Sequence, residues 1–261
     1  MQIQLLRHAT LVVEIGGQRL LVDPMLGARE NADPIPNTPN QVRNPTVKLP
    51  YDETTLAQLI ATLDGAIVTH LHADHWDRRA AELLPKDLPL LCQPGNEERL
   101  ESDGFSDVSP VGHTLAWRGL DLTRTGGQHG TGEIGERMGT VSGFVVRAPG
   151  EPVLYLAGDT IWCDEVKDVL ATHAPDVVVV NSGAAQFLVG EPITMTAADV
   201  VRVCEAAPGS AVVAVHMEAI NHCLLTRHAL AAAAEEAGVA GQLRIPTNGE
   251  VLAFEASGVG D

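Results

Sequence analysis

Short apolar runs separated by turn residues set the pattern of this chain. Residues 2–6, 10–15 and 19–22 are β-branched or apolar, and Gly16-Gly17 separates the last two, which predicts a hairpin entering a sheet. Asp23-Pro24 ends that unit. Residues 31–50 carry Pro34, Pro36, Pro39, Pro45 and Pro50 among several Asn, a composition that holds neither a regular helix nor a central strand. A loop this long is commonly functional or disordered, and a lid over a site is one expectation for it.

From residue 64 the pattern alternates between strand and helix. Ala66-Ile67-Val68-Thr69 predicts a short buried strand that delivers His70 at its end. Helices are expected over 77–84, with Asp77 as cap, and over 95–102, 162–172, 197–206 and 224–237. Strands are expected at 88–92, 106–109, 111–116, 120–125, 141–147, 153–157, 177–180, 211–215, 243–245 and 250–254. The order is strands, then β/α alternation, then both again. It implies one domain over 1–261, built of two similar halves joined near 126–140. Several strands are apolar on both faces, which requires two sheets packed face to face with helices outside.

Composition narrows the function more than the fold. Of the 261 residues 45% are hydrophobic but only 3% aromatic, so Ala, Val, Leu and Ile must build the core. The formal charge is −17, and the lysines are Lys48, Lys86 and Lys167 alone. Such a surface repels a phosphate backbone and argues against nucleic acid as a partner. It leaves anionic small substrates open, because a bound divalent metal makes its surroundings positive. Cys92, Cys163, Cys204 and Cys223 form no C-x-x-C pair, so no disulfide framework is expected. The first residues show no signal-peptide pattern and no apolar run reaches membrane-spanning length, so a cytoplasmic protein without membrane partners is expected.

The densest chemistry is His70-Leu71-His72-Ala73-Asp74-His75, with four metal-ligand side chains in six residues. His129 in Gly126-Gly127-Gln128-His129-Gly130, Asp159 after the strand of Tyr155-Leu156-Ala157-Gly158, and His216 after Val212-Val213-Ala214-Val215 are further candidates. Ligands at the ends of separate strands converge on one rim of a sheet pair, and the adjacent glycines permit close backbone approach. His222 competes with His216 as ligand, or else lines the pocket and donates to substrate.

These residues together resemble the metallo-β-lactamase fold superfamily over essentially the whole chain. The opening His8-Ala9-Thr10 with Asp23-Pro24 resembles the branch of ascorbate-6-phosphate lactonase and related metal-dependent hydrolases. The resemblance implies an α/β fold (α+β by some schemes), a four-layer αβ/βα sandwich of two mixed sheets. It implies two divalent ions, zinc first and manganese or iron(II) also fitting. His70, His72 and His129 would hold one, Asp74, His75 and His216 the other, and Asp159 would bridge them. A hydroxide shared between two such ions attacks an electrophilic carbon or phosphorus, with Asp74 and His222 as the catalytic candidates of the chain itself.

Other residues keep two readings each. His8, Asp23 and Asp77 either orient ligands or serve turns and caps. Thr160 either bonds near the bridge or caps the helix of 162–172, and Cys163 and Cys223 are expected to be packing residues. Arg43 and Lys48 are the cations a 31–50 loop could offer an anionic group, with 132–137 as a second rim. The expected function is hydrolysis of a small-molecule ester or lactone, with a small or lipid-like phosphodiester as alternative. A diiron redox protein fits less well, because that branch carries an acidic residue where this chain has His72. A non-catalytic metal-binding protein is the third class. The expected partner is a small molecule, and a homo-oligomer is compatible with the sequence.

Overall fold

The structure is a computed structural model that describes residues 1–256. The apolar runs form two seven-stranded sheets. The first contains β1 (Gln2–Arg7), β2 (Thr10–Ile15), β3 (Gln18–Val22), β4 (Gly65–Val68), β5 (Leu90–Cys92), β6 (Val108–Pro110) and, at its far edge beside β1, β14 (Val251–Ala253). The second runs in chain order from β7 (Thr114–Trp117) through β8 (Leu120–Thr125), β9 (Gly143–Arg147), β10 (Leu154–Leu156), β11 (Val177–Asn181) and β12 (Ala211–Val215) to β13 (Leu243–Arg244). Both sheets are mixed. Pairing is antiparallel up to β3 in the first and up to β10 in the second, and parallel from there on.

Strand alternation sorts side chains between three cores. Ile3, Leu5, Leu11, Val13, Leu20 and Ile67 of the first sheet meet Phe144, Leu154, Val177, Val179 and Val213 of the second. The intervening residues point outward. Val12, Leu21, Ala66 and Val68 pack under Leu56, Ile60, Ala80 and Leu100. Val178, Val180, Val212 and Ala214 pack under Val166, Val200, Val203 and Leu230. Burying both faces of a strand such as Val177–Val180 contributes about 1.5–3 kcal/mol per side chain, which explains runs without polar interruption. The result is the expected αβ/βα sandwich.

The helices are α1 (Glu53–Ile60), α2 (Arg78–Leu83), α3 (Glu97–Ser102), α4 (Gly132–Met138), α5 (Asp164–His173), α6 (Ala197–Ala206) and α7 (Arg227–Glu236). Two of them depart from the sequence reading. α1 was not expected: it is short and holds two Thr, but Asp52 caps it by accepting from Thr55 N at 2.8 Å, and Leu56 and Ile60 anchor it four residues apart. α4 covers the stretch read only as a rim, 132–137, and extends one residue beyond it. The chain also passes from the first sheet to the second between β6 and β7, not at 126–140, which lies between β8 and β9 of the second sheet. No helix among the described residues is long and apolar enough to cross a membrane.

Candidate metal centre

Strand ends deliver the cluster. His70, His72, Asp74 and His75 follow β4, His129 follows β8, Asp159 follows β10 and His216 follows β12. Close approach is built into the backbone beside two of them. At Gly158, with φ +69°, a Cβ would lie 2.5 Å from Ser142 O; at Gly183 it would lie 2.5 Å from His216 O. Only glycine fits such contacts, so these strand ends can press together.

The seven expected ligands converge. Around the Asp159 carboxylate, His75 Nε2 stands 3.3 Å from Oδ2, His129 Nε2 3.4 Å from Oδ2 and His216 Nε2 3.3 Å from Oδ1. His70 Nε2 is 4.0 Å from Oδ2. Asp74 Oδ2 is 3.9 Å from His75 Nε2 and 3.7 Å from His216 Nε2. Three groups each bring their ligand atoms within 4.8 Å of one another: His70 with His72 and His129; His70 with His75 and Asp159; and Asp74, His75 and His216 with His8. His8 thus joins Asp74, His75 and His216, its Nε2 donating to Asp74 Oδ2 at 3.0 Å.

The outward ring nitrogens are held as well. His75 Nδ1 donates to Asp23 Oδ2 at 2.8 Å, and His129 Nδ1 donates to Ile193 O at 2.8 Å. His70 Nδ1 meets Thr69 Oγ1 at 3.1 Å, and that hydroxyl donates to Asp23 Oδ2 at 2.8 Å. Asp23 therefore orients two histidines, which resolves its double reading. His216 Nδ1 lies 3.6 Å from Cys223 Sγ, so Cys223 sits against a candidate ligand instead of only packing. Each of these four rings presents Nε2 inward, the arrangement in which a second partner fixes a ligand histidine.

Charge favours a cation here. Burial pushes the Asp159 carboxyl up, but His216, His75 and His129 outweigh it and hold it well below the usual range. Asp74 is held low in the same way by His75, His8 and His216. Burial lowers His75, yet Asp159, Asp23 and Asp74 overcome it and draw a proton there. Burial, reinforced by neighbouring imidazoles, pushes His70 well down and His8 down to about 3. The buried Nε2 of His70 has no hydrogen-bond partner among the described residues. Carboxylates that call for positive charge, surrounded by inward imidazole nitrogens with one orphaned, fit divalent metal ions.

Several expectations resolve differently. Asp77 caps α2 through Ala80 N at 2.7 Å and takes Gly27 N at 2.6 Å, so it orients no histidine. Thr160 does not cap α5, whose N-cap is Cys163; its hydroxyl accepts from Gln128 N at 2.9 Å and holds the loop of His129. Arg43 pairs with Asp33, and neither it nor Lys48 lines the cavity at the cluster. The cations at that cavity are Arg78, Arg79 and Arg99, paired with Glu82, Glu53 and Asp103. His222, 5% exposed, lines the cavity with His72, Asp74 and Asp159, and burial pushes it down to about 4.

Two residues escaped the sequence reading. Asn181 Nδ2 donates to Asp159 Oδ1 at 2.7 Å, and its place at the end of an all-valine run was a usable signal. Asn221 pins the 31–50 loop. Its Oδ1 accepts from Ile35 N at 3.0 Å and Asn44 Nδ2 at 2.7 Å, and its Nδ2 donates to Thr38 Oγ1 at 2.7 Å and Asn40 O at 2.8 Å. Nothing in its own neighbourhood marks it. The loop so held forms one wall of the cavity, which has a volume of about 690 Å³.

Comparison with known proteins agrees with this geometry. Residues 18–217 match the family described as the beta-lactamase superfamily domain. The UPF0173 protein YddR of Bacillus subtilis is 37% identical over 257 residues, 97% of this chain and 100% of that protein. The crystal structure of an isothiocyanate hydrolase from Delia radicum gut bacteria superposes with a TM-score of 0.92 at 35% identity, covering 98% of this chain and 100% of the other. That of a possible metal-dependent hydrolase from Veillonella parvula gives 0.93 at 30% identity, covering 97% and 99%. The chain belongs to the metallo-β-lactamase superfamily, among its metal-dependent hydrolases.

Proposed function

We propose that the chain hydrolyses a small, uncharged, apolar electrophile at a dinuclear metal centre, with organic isothiocyanates as the first substrate class. The observation that carries this is the cavity. Its walls include Met25, Leu71, Trp76, Phe187, Ile193 and Ile220, and its floor is the His/Asp cluster. Such a wall accepts an alkyl or aryl group beside the reacting end. The arginines at the cavity are engaged by acidic partners, which disfavours a phosphodiester. The similarity to an isothiocyanate hydrolase along nearly the whole chain supports the choice of class.

His70, His72 and His129 would hold one ion, and Asp74, His75 and His216 the other, with Asp159 shared and zinc the first choice. When bound, such ions supply Lewis acidity, lowering the pKa of a water toward neutrality and polarising the scissile group. The chain keeps the donors in place: Asp23 orients His75 and, through Thr69, His70, while Asn181 holds Asp159. Addition of water to R–N=C=S forms a C–O bond and gives R–NH–C(=O)SH, which breaks its C–N bond to release R–NH2 and carbonyl sulfide.

An ester or lactone is the second reading. His8 and Asp23, from the opening motif that resembles a lactonase branch, both reach the cluster, at Asp74 and His75. A panel of allyl and phenethyl isothiocyanate, a γ-lactone, p-nitrophenyl acetate and bis(p-nitrophenyl) phosphate tests both. Isothiocyanate loss with matching amine release, abolished by chelator and restored by zinc, is the expected result. Turnover of the ester or lactone alone would move the conclusion to the second reading, and an inert zinc-loaded protein would refute both.

A further inference from the structure

We propose that His222 is a catalytic residue that touches the substrate, its Nε2–H donating a hydrogen bond to the heteroatom that gathers negative charge as the carbon is attacked. The proposal rests on the hydrolytic reading of the cavity and adds to it a group supplied by the chain itself.

The location comes first. His222 lines the same cavity as His72, Asp74 and Asp159, yet it belongs to none of the three groups whose ligand atoms lie within 4.8 Å of one another. It is near enough to the centre to meet a bound substrate and outside the set of converging ligands.

The ring has no structural occupation. A buried histidine serving the fold normally satisfies its nitrogens with protein partners. His222 is 5% exposed, and its Nδ1 is buried with no hydrogen-bond partner among the described residues. Among the described residues no protein group bonds Nε2 either, and Nε2 is not among the fully buried orphan atoms, so it is the nitrogen open to the cavity. An orphaned buried N–H is costlier than an orphaned lone pair. The proton of the neutral ring therefore sits on Nε2, aimed at the cavity.

The backbone is held rigidly enough for this to matter. His222 O accepts from Gln186 N at 3.0 Å, and the preceding Asn221 is locked into the 31–50 loop on both its main chain and its side chain. The Phe187 ring, 6.0 Å away between centroids, flanks the imidazole. A preorganised donor in an apolar wall does not have to reorient during the reaction. When water adds to R–N=C=S, the new C–O bond displaces a π pair onto sulfur and nitrogen, and the His222 N–H stabilises that charge without transferring its proton. In an ester or lactone the acceptor is the carbonyl oxygen.

The test compares His222→Ala and His222→Gln with the unaltered protein, all zinc-loaded, on the substrate the panel identifies. Metal content, kcat and KM are measured separately. Loss of one such donor is expected to lower kcat about 10²-fold in His222→Ala with KM and metal stoichiometry nearly unchanged. His222→Gln, which restores an N–H donor, should recover part of the loss. A long-range ¹H–¹⁵N spectrum of the zinc-loaded protein should show His222 as the Nε2–H tautomer. Unchanged kcat in the Ala variant, loss of metal from it, or an Nδ1–H tautomer would each overturn the proposal. If the unaltered protein is inert on the whole panel, the hydrolytic reading falls, and the tautomer still decides whether a donor faces the cavity.

Discussion

Asn221→Ala tests whether one buried amide fastens the cavity wall to the strand end that carries His216. The side chain bonds Ile35 N, Ile35 O, Asn44 Nδ2, Thr38 Oγ1 and Asn40 O. Asn44 is buried and its Nδ2 loses a partner that water does not readily replace; Thr38 Oγ1, also buried, keeps Ile35 O, Asn40 O and Gln41 Nε2, and Ile35 and Asn40 are more exposed. One unsatisfied buried group costs about 1–3 kcal/mol and the other four lost bonds about 0.5 kcal/mol each, which sums to about 3–5 kcal/mol. Local detachment of the loop limits the global loss, because the chain escapes by the cheaper opening. Two measurements are therefore needed. Urea unfolding should show a loss of at least about 2 kcal/mol, and hydrogen exchange should speed up at Thr46 and Ala32, whose amides bond Ala219 O and Asn44 O at 2.8 and 2.9 Å. A variant within about 0.5 kcal/mol of the parent, with both amides still protected, would refute the argument that Asn221 carries this junction.

Three further outcomes follow from the site. Asp159→Ala removes the carboxylate common to four inward imidazoles, so elemental analysis should fall from about two equivalents of metal to one or fewer, with activity lost in step; a fully metallated active variant would remove Asp159 from the centre. Asp23→Ala takes the acceptor from His75 and Thr69 while leaving the inward nitrogens, and chelator competition should show metal affinity about 10–100-fold weaker; an unchanged affinity would contradict its orienting role. Gly183→Ala drives a Cβ to 2.5 Å from His216 O and 2.9 Å from Cys223 Sγ, and thermal unfolding should show a loss of about 1–3 kcal/mol; an undisturbed melting temperature would mean the strand ends are not tightly pressed together.

Much of the site was legible in the chain because the relevant signals are local. His70 to His75 pack four donors into six residues, and strand-end placement singled out His129, Asp159 and His216. The same strand-end logic would have found Asn181. Arg43 was a reasonable cation to expect beside the centre, but Asp33 within its own loop engages it. α1 hid because eight residues with two Thr give little periodicity; Asp52 and its packing under the first sheet stabilise it.

The sequence by itself determined the double-faced apolar strands, the layer order and the identities of the converging donors, since periodicity and ligand spacing are properties of neighbouring residues. Only the tertiary structure decided where the chain changes sheets, which carboxylate orients which imidazole, and what fastens the long loop. Asn221 meets Ile35, Thr38, Asn40 and Asn44 across 177 to 186 positions of chain. Such contacts exist only after the strands of both sheets have paired, so no window along the chain contains them. The orphaned Nδ1 of His222 is of the same kind: it is defined by the partners that the fold withholds.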